Sequence, residues 1–81
     1  MNIQEEIKTF LREKKFIKEE EEIGSEDSLL EQGVIDSVGI QEIVSFMEKK
    51  YSISVDEDDL MPDNFDTLND MERYIQEKLN G

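Results

Sequence analysis

Asp36-Ser37-Val38-Gly39-Ile40-Gln41-Glu42-Ile43-Val44-Ser45-Phe46-Met47-Glu48-Lys49-Lys50-Tyr51 reads as one amphipathic helix with its own start and stop signals. Ile40, Ile43, Val44, Met47 and Tyr51 recur at i, i+3, i+4, i+7 and i+11, the apolar stripe of a 3.6-residue period. Asp36 offers a short carboxylate to the backbone N–H groups that a helix start leaves without partners. Lys49 and Lys50 put cations at the negative end of the helix dipole. The spacing predicts a helix over about 37–50, with Ser37 exposed in its first turn beside the positive end of the dipole.

Upstream, residues 16–36 lose the period, carry the acidic run Glu19 to Glu22 and contain Gly24, Ser25, Ser28 and Gly33. They form one long connection, and such loops in small domains usually have a purpose. Ile23, Leu29, Leu30, Val34 and Ile35 are too many for a free linker and should pin it to the core, with a short turn at Ser28 to Gln32. Before it, Ile3, Ile7, Phe10 and Leu11 mark a helix from 3 to about 15 that Asn2 can cap. Downstream, Ile53 and Val55 are too few to found a sheet, so this stretch is a loop feeding a one-turn helix at Glu57 to Met61, capped by Asp56 and stopped by Pro62. Asp66 is expected to cap a last helix with the stripe Leu68, Met71, Ile75 and Leu79, and Gly81 stands just past its end. The class is therefore all-α: a small antiparallel four-helix bundle of three main helices plus one short helix 3, with a long loop between helices 1 and 2, in a single domain over 1–81.

At 81 residues the chain can enclose only one core. Leu, Ile, Val and Phe account for 23 of those residues, enough to fold despite the high charge. Nine bases against 22 acids give a formal net charge of −13, which repels nucleic acid and anionic lipid and favours a basic-faced protein partner. The acids are unevenly placed: residues 1–18 hold five bases and three acids, residues 19–81 four bases and nineteen acids. The absence of Cys and His removes disulfides, thiolate zinc sites, thiol catalysis and the usual base of a nucleophilic site, so the chain is expected not to be an enzyme. The Met1-Asn2-Ile3 start lacks the pattern of a secretory signal, and no apolar run approaches the ~18 residues of a membrane span. A cytoplasmic monomer is the expectation.

Gly33 to Ile43 is similar to the phosphopantetheine attachment site of acyl and peptidyl carrier proteins. In that family an Asp-Ser pair opens the second helix of a four-helix bundle, followed by an apolar residue and later by a Glu and an aliphatic. Asp36-Ser37-Val38 supplies the opening here, and Glu42 and Ile43 stand at the later positions. The long first loop, the short acidic third helix and Phe65-Asp66-Thr67-Leu68 also fit, so the resemblance covers essentially the whole chain. It implies a discrete acyl or aminoacyl carrier protein in which Ser37 carries 4'-phosphopantetheine, taken from coenzyme A, whose thiol holds cargo as a thioester and shuttles it between biosynthetic enzymes. The partners it implies are a phosphopantetheinyl transferase and loading and downstream enzymes with basic docking surfaces. Asp36, Val38, Gln41, Glu42, Ser45 and Glu48 lie, by the same resemblance, on the side presented to them.

The residues add their own arguments. Ser37 has no His or Lys within several residues, so the base that activates its hydroxyl must come from another protein. A phosphodiester is well placed at a helix N-terminus. Gln41 and Ser45 are polar where fatty-acid-type carriers usually show apolar contacts, which points to a specialised pathway rather than housekeeping fatty acid synthesis. Gly39 costs a helix interior ~1 kcal/mol relative to Ala; either a partner or the arm approaches its backbone, or the position simply tolerates it. Asp56-Glu57-Asp58-Asp59 lacks the spacing and the glycine of a calcium loop, and no metal is expected. Met47 and Met71 belong to the core, and Lys14, Lys15 and Lys18 form a solvated helix end. The competing reading is an acidic interaction module that docks on a basic partner and never receives an arm.

Overall fold

A computed structural model describes residues 2–80. Four helices run in the order α1 (Ile3–Glu13), α2 (Ser37–Tyr51), α3 (Pro62–Phe65) and α4 (Leu68–Asn80), with a 3-10 turn at Glu57–Asp59 and no strand among the described residues. The all-α expectation holds. The helix α4 packs against each of the other three. Its buried residues Leu68, Met71, Tyr74 and Ile75 join Ile7 and Leu11 of α1 and Ile43 and Met47 of α2 in one core.

The start of α1 is as expected, with the Asn2 side chain accepting the Glu5 N–H at 3.1 Å. Its end comes two residues early. Lys15 takes a φ of 65°, the N–H of Lys15 reaches the Arg12 carbonyl at 3.0 Å and that of Phe16 the Leu11 carbonyl at 2.9 Å. This is the paired closure that normally uses glycine. A lysine in that conformation leaves no signal in the sequence.

Four further expectations are corrected. Pro62 does not stop a helix; it opens α3, because a first-turn residue needs no N–H and proline's fixed φ suits that position. The turn before it is Glu57–Asp59 alone, and Asp56 makes no side-chain cap to it. Asp66 does not cap α4. Thr67 does, its hydroxyl accepting the Asp70 N–H at 3.0 Å. Leu79 leaves the core stripe and is 47% exposed, while Tyr74 enters it; Ile75 is the last buried residue. The expected helix stop at Gly81 lies outside the described residues.

Asp66 instead fastens the long loop. Its carboxylate accepts the Ser28 hydroxyl at 2.8 Å and the Leu30 N–H at 3.1 Å, and its carbonyl accepts the Leu29 N–H at 2.9 Å. Ser28 to Gln32 forms the expected turn, closed by the Gln32 N–H on the Ser28 carbonyl at 3.1 Å and ended by Gly33 at a φ of 74°. Ile23, Leu29 and Ile35 are buried, with Leu30 and Val34 packed at the edge of the core. A connection of this length is thereby fastened to the core at several points, and it delivers the chain to Ser37.

The chain's two tyrosines tie the termini of this framework. The buried Tyr51 donates its hydroxyl to Glu6, and the buried Tyr74 donates to Asp59 at 2.7 Å. Burial first, then the bond to and charge of each carboxylate, hold both phenols well above their ordinary value. The unfolded chain therefore loses these protons first, so their contribution to stability is complete below pH ~10 and declines as pH rises beyond it. In an alkaline titration, tyrosinate absorbance should rise late and together with loss of the helical circular dichroism signal. Titration of either phenol at the free value in a still-folded chain would contradict this.

Candidate functional site

The loop enters α2 through Ile35, buried, and Asp36, exposed. The Asp36 carboxylate accepts the Gly39 N–H at 2.9 Å, the cap expected from its position. Ser37 is the first residue of the helix and is exposed. Its hydroxyl takes part in no hydrogen bond among the described residues, and neither its N–H nor that of Val38 has an acceptor there. These two groups sit at the positive end of a fifteen-residue helix. The exposed hydroxyl has room for an added group, and the two free N–H groups can donate to the oxygens of a phosphodiester. A phosphopantetheine therefore fits this position. The nearest acid, Asp36, is engaged in the cap, its carboxylate accepting the Gly39 N–H.

Gly39, two residues after Ser37, is buried. A Cβ built there would stand 3.1 Å from Ile35 Cβ and 3.4 Å from its Cγ2. The close approach is therefore made by the chain's own Ile35, which neither sequence-based reading of Gly39 proposed. Removing the Cβ lets the last loop residue before the cap fold back over the first turn and stay in the core. Gly39→Val should destabilise the protein by ~1–3 kcal/mol through overpacking, despite the better helix former. Urea unfolding measures it, and an unchanged or raised midpoint would show that Ile35 moves aside freely.

Of the other residues named from the resemblance, Val38, Gln41, Glu42 and Ser45 share the outer face of α2, and Val38 is 66% exposed. Glu48 stands apart, half-buried, its carboxylate accepting the Val55 N–H at 2.9 Å. It holds the loop after α2 to the helix.

A groove that the sequence reading did not anticipate lies beside this face. Helices α1 and α2 enclose an open groove of about 650 Å³, lined by Val38, Gln41, Glu42 and Ser45 and by residues of both helices beyond them. Phe10 and Phe46 stack in it with ring centroids 4.4 Å apart and an interplanar angle of 22°. Lys14, Lys49 and Lys50 stand around it. The outer face of α2 is therefore not uniformly acidic, although the chain carries a formal net charge of −13. Phe46, an aromatic off the apolar stripe and on the polar side of the helix, was the one available signal.

Two of the four carboxylates of the acidic turn are engaged within the chain. Asp59 accepts from Tyr74, and Asp56 lies 3.6 Å from Lys78. Among the described residues no three acidic side chains are gathered as a metal site.

Comparison with known proteins matches the chain to a family model described as phosphopantetheine attachment site, over residues 3–75. No curated protein matches the chain.

Proposed function

Because the chain belongs to the phosphopantetheine attachment site family, whose members carry that group covalently and are carriers rather than enzymes, we propose that Ser37 is the residue it is attached to. The single observation that carries this reading is the placement of Ser37: an exposed, unengaged hydroxyl at the first residue of a capped helix, beside two free N–H groups.

The Ser37 oxygen attacks the β-phosphorus of coenzyme A. A phosphodiester bond forms, the bond to the leaving 3',5'-ADP breaks, and the hydroxyl proton passes to a base of the phosphopantetheinyl transferase. The N–H groups of Ser37 and Val38 then face the anionic phosphodiester. Once bound, the arm supplies a thiol that holds an acyl or aminoacyl group as a thioester. The rest of the chain contributes position: the Asp66 anchor and the buried Leu29 and Ile35 hold the loop that presents Ser37. A flexible arm raises the concentration of its cargo at a docked active site without any bond chemistry by the carrier.

The protein is, in this reading, a monomer of antiparallel helices that works in the cytoplasm for a specialised pathway, as the polar Gln41 and Ser45 support. Asp36, Val38, Gln41 and Glu42 are the contacts offered to a transferase or loading enzyme with a basic rim. Exposed pairs of this kind contribute only ~0.2–1 kcal/mol each, which suits a shuttle that must leave its partners quickly. Incubation with coenzyme A and a broad-specificity transferase, followed by intact mass spectrometry and fragmentation, tests the assignment. One arm per chain on the peptide that contains Ser37 is expected; no gain, or a gain elsewhere, overturns it.

A further inference from the structure

The groove between α1 and α2 begins at Val38, the residue after Ser37, and reaches Lys49, eleven residues or about 16 Å along the helix. Its two ends differ in chemistry. The near end offers the exposed apolar Val38 and the amide and hydroxyl of Gln41 and Ser45. The far end has an aromatic pair, Phe10 stacked on Phe46, with Lys14, Lys49 and Lys50 in the same lining. Lys50 lies 3.8 Å from Glu6, whereas Lys14 and Lys49 form no ion pair among the described residues. Glu42, the acid of the lining, belongs to the near end, seven residues or about 10 Å from Lys49.

We propose that this groove holds the loaded arm, and that the cargo it suits is a short acyl group ending in an anion, such as a carboxylate. The inference rests on attachment at Ser37 and adds what is carried there. An arm fixed at the mouth of the groove can lie along it, its amides meeting Gln41 and Ser45 and its thioester coming over the phenyl rings. A carboxylate beyond the thioester then meets Lys14 and Lys49, in a protein whose charge elsewhere repels anions. So open a groove would hold a free ligand weakly. Tethering removes that difficulty, because a ligand on a short flexible arm is present at an effective concentration on the order of millimolar. Two unpaired cations in the same lining as apolar rings also discriminate: a neutral acyl group leaves them solvated, while an anionic one pairs with both.

The experiment loads ¹⁵N-labelled protein through the transferase from coenzyme A, butanoyl-CoA and succinyl-CoA, with intact mass verifying each form. Amide chemical shifts are then compared. The succinyl form should move the Phe46 and Lys49 amides and those of the α1 end around Lys14 at least twofold more than the butanoyl form, and the excess should disappear at high salt and in Lys14→Ala/Lys49→Ala. Shifts confined to the neighbours of Ser37 in every loaded form would show the arm in solvent and overturn the inference while attachment stands. Equal shifts from butanoyl and succinyl loading would overturn the anionic cargo. Failure to gain mass at Ser37 brings down attachment and this inference together.

Discussion

Ser37→Ala is expected to abolish the mass gain from coenzyme A completely and to leave the unfolding midpoint within ~0.5 kcal/mol of the parent, the range of a surface substitution that removes no specific contact. The two halves of this expectation have one cause. The Ser37 hydroxyl is exposed and unengaged, so folding does not use it. The cap of α2 is made by Asp36, one residue earlier, and survives the substitution. Total loss without destabilisation therefore separates attachment from structure, which loss of modification in a damaged fold could not do. Paired measurements of intact mass and urea unfolding decide it. An alanine variant that still acquires the arm rules out Ser37 as the site, and one that loses more than ~1 kcal/mol shows a structural role for the hydroxyl that the geometry does not contain.

The largest effect on stability is expected from Phe65→Ala, at ~3–5 kcal/mol. Phe65 is completely buried at the end of α3, with its ring centroid 5.4 Å from that of Tyr74. Truncation leaves a cavity among residues that come from a four-residue helix, α4 and the long loop. Such a short helix has no hydrogen-bond ladder of its own to hold it once its aromatic anchor is gone. Stability for a chain of this size lies in the region of ~4–12 kcal/mol, so the loss takes a large share of it. The neighbouring Asp66 fastens Ser28, Leu29 and Leu30, so the damage should extend to the loop that leads to Ser37. Urea unfolding monitored by circular dichroism measures the first effect, and hydrogen exchange of the Leu29 and Leu30 amides the second. A loss below ~1.5 kcal/mol would mean that the site collapses around the gap and that α3 is not anchored by this ring.

Much of the site was legible because its signals are local. Asp36 lies three residues from the N–H it accepts, and the stripe from Ile40 to Tyr51 repeats every three or four residues. The anchoring of the long loop by Ile23, Leu29 and Ile35 was also readable, since that many aliphatics cannot stay in water between two helices. The misreadings share a different character. Asp66 and Thr67 are both able caps for α4, and the sequence offers no reason to pass over the acid. The choice falls to Thr67 because Asp66 is taken by Ser28 and Leu30, more than thirty residues upstream. Pro62 is compatible with ending one turn or opening the next, and only the packing of Phe65 selects the second.

By itself the sequence determined the helical class, the position and cap of α2, and the exposure of Ser37, because hydrogen bonds within one turn and an apolar period decide these. Tertiary structure alone decided that Ile35 fills the space Gly39 leaves, that Asp66 serves the loop, and that Phe10 of α1 and Lys14 just past its end meet Phe46 and Lys49 of α2 in a groove. Each of these joins groups whose proximity depends on how whole elements are placed, and no periodicity encodes that placement. Burial draws α1 and α2 into one core with α4, while the charge around the groove between them follows from which unrelated stretches of chain happen to border it.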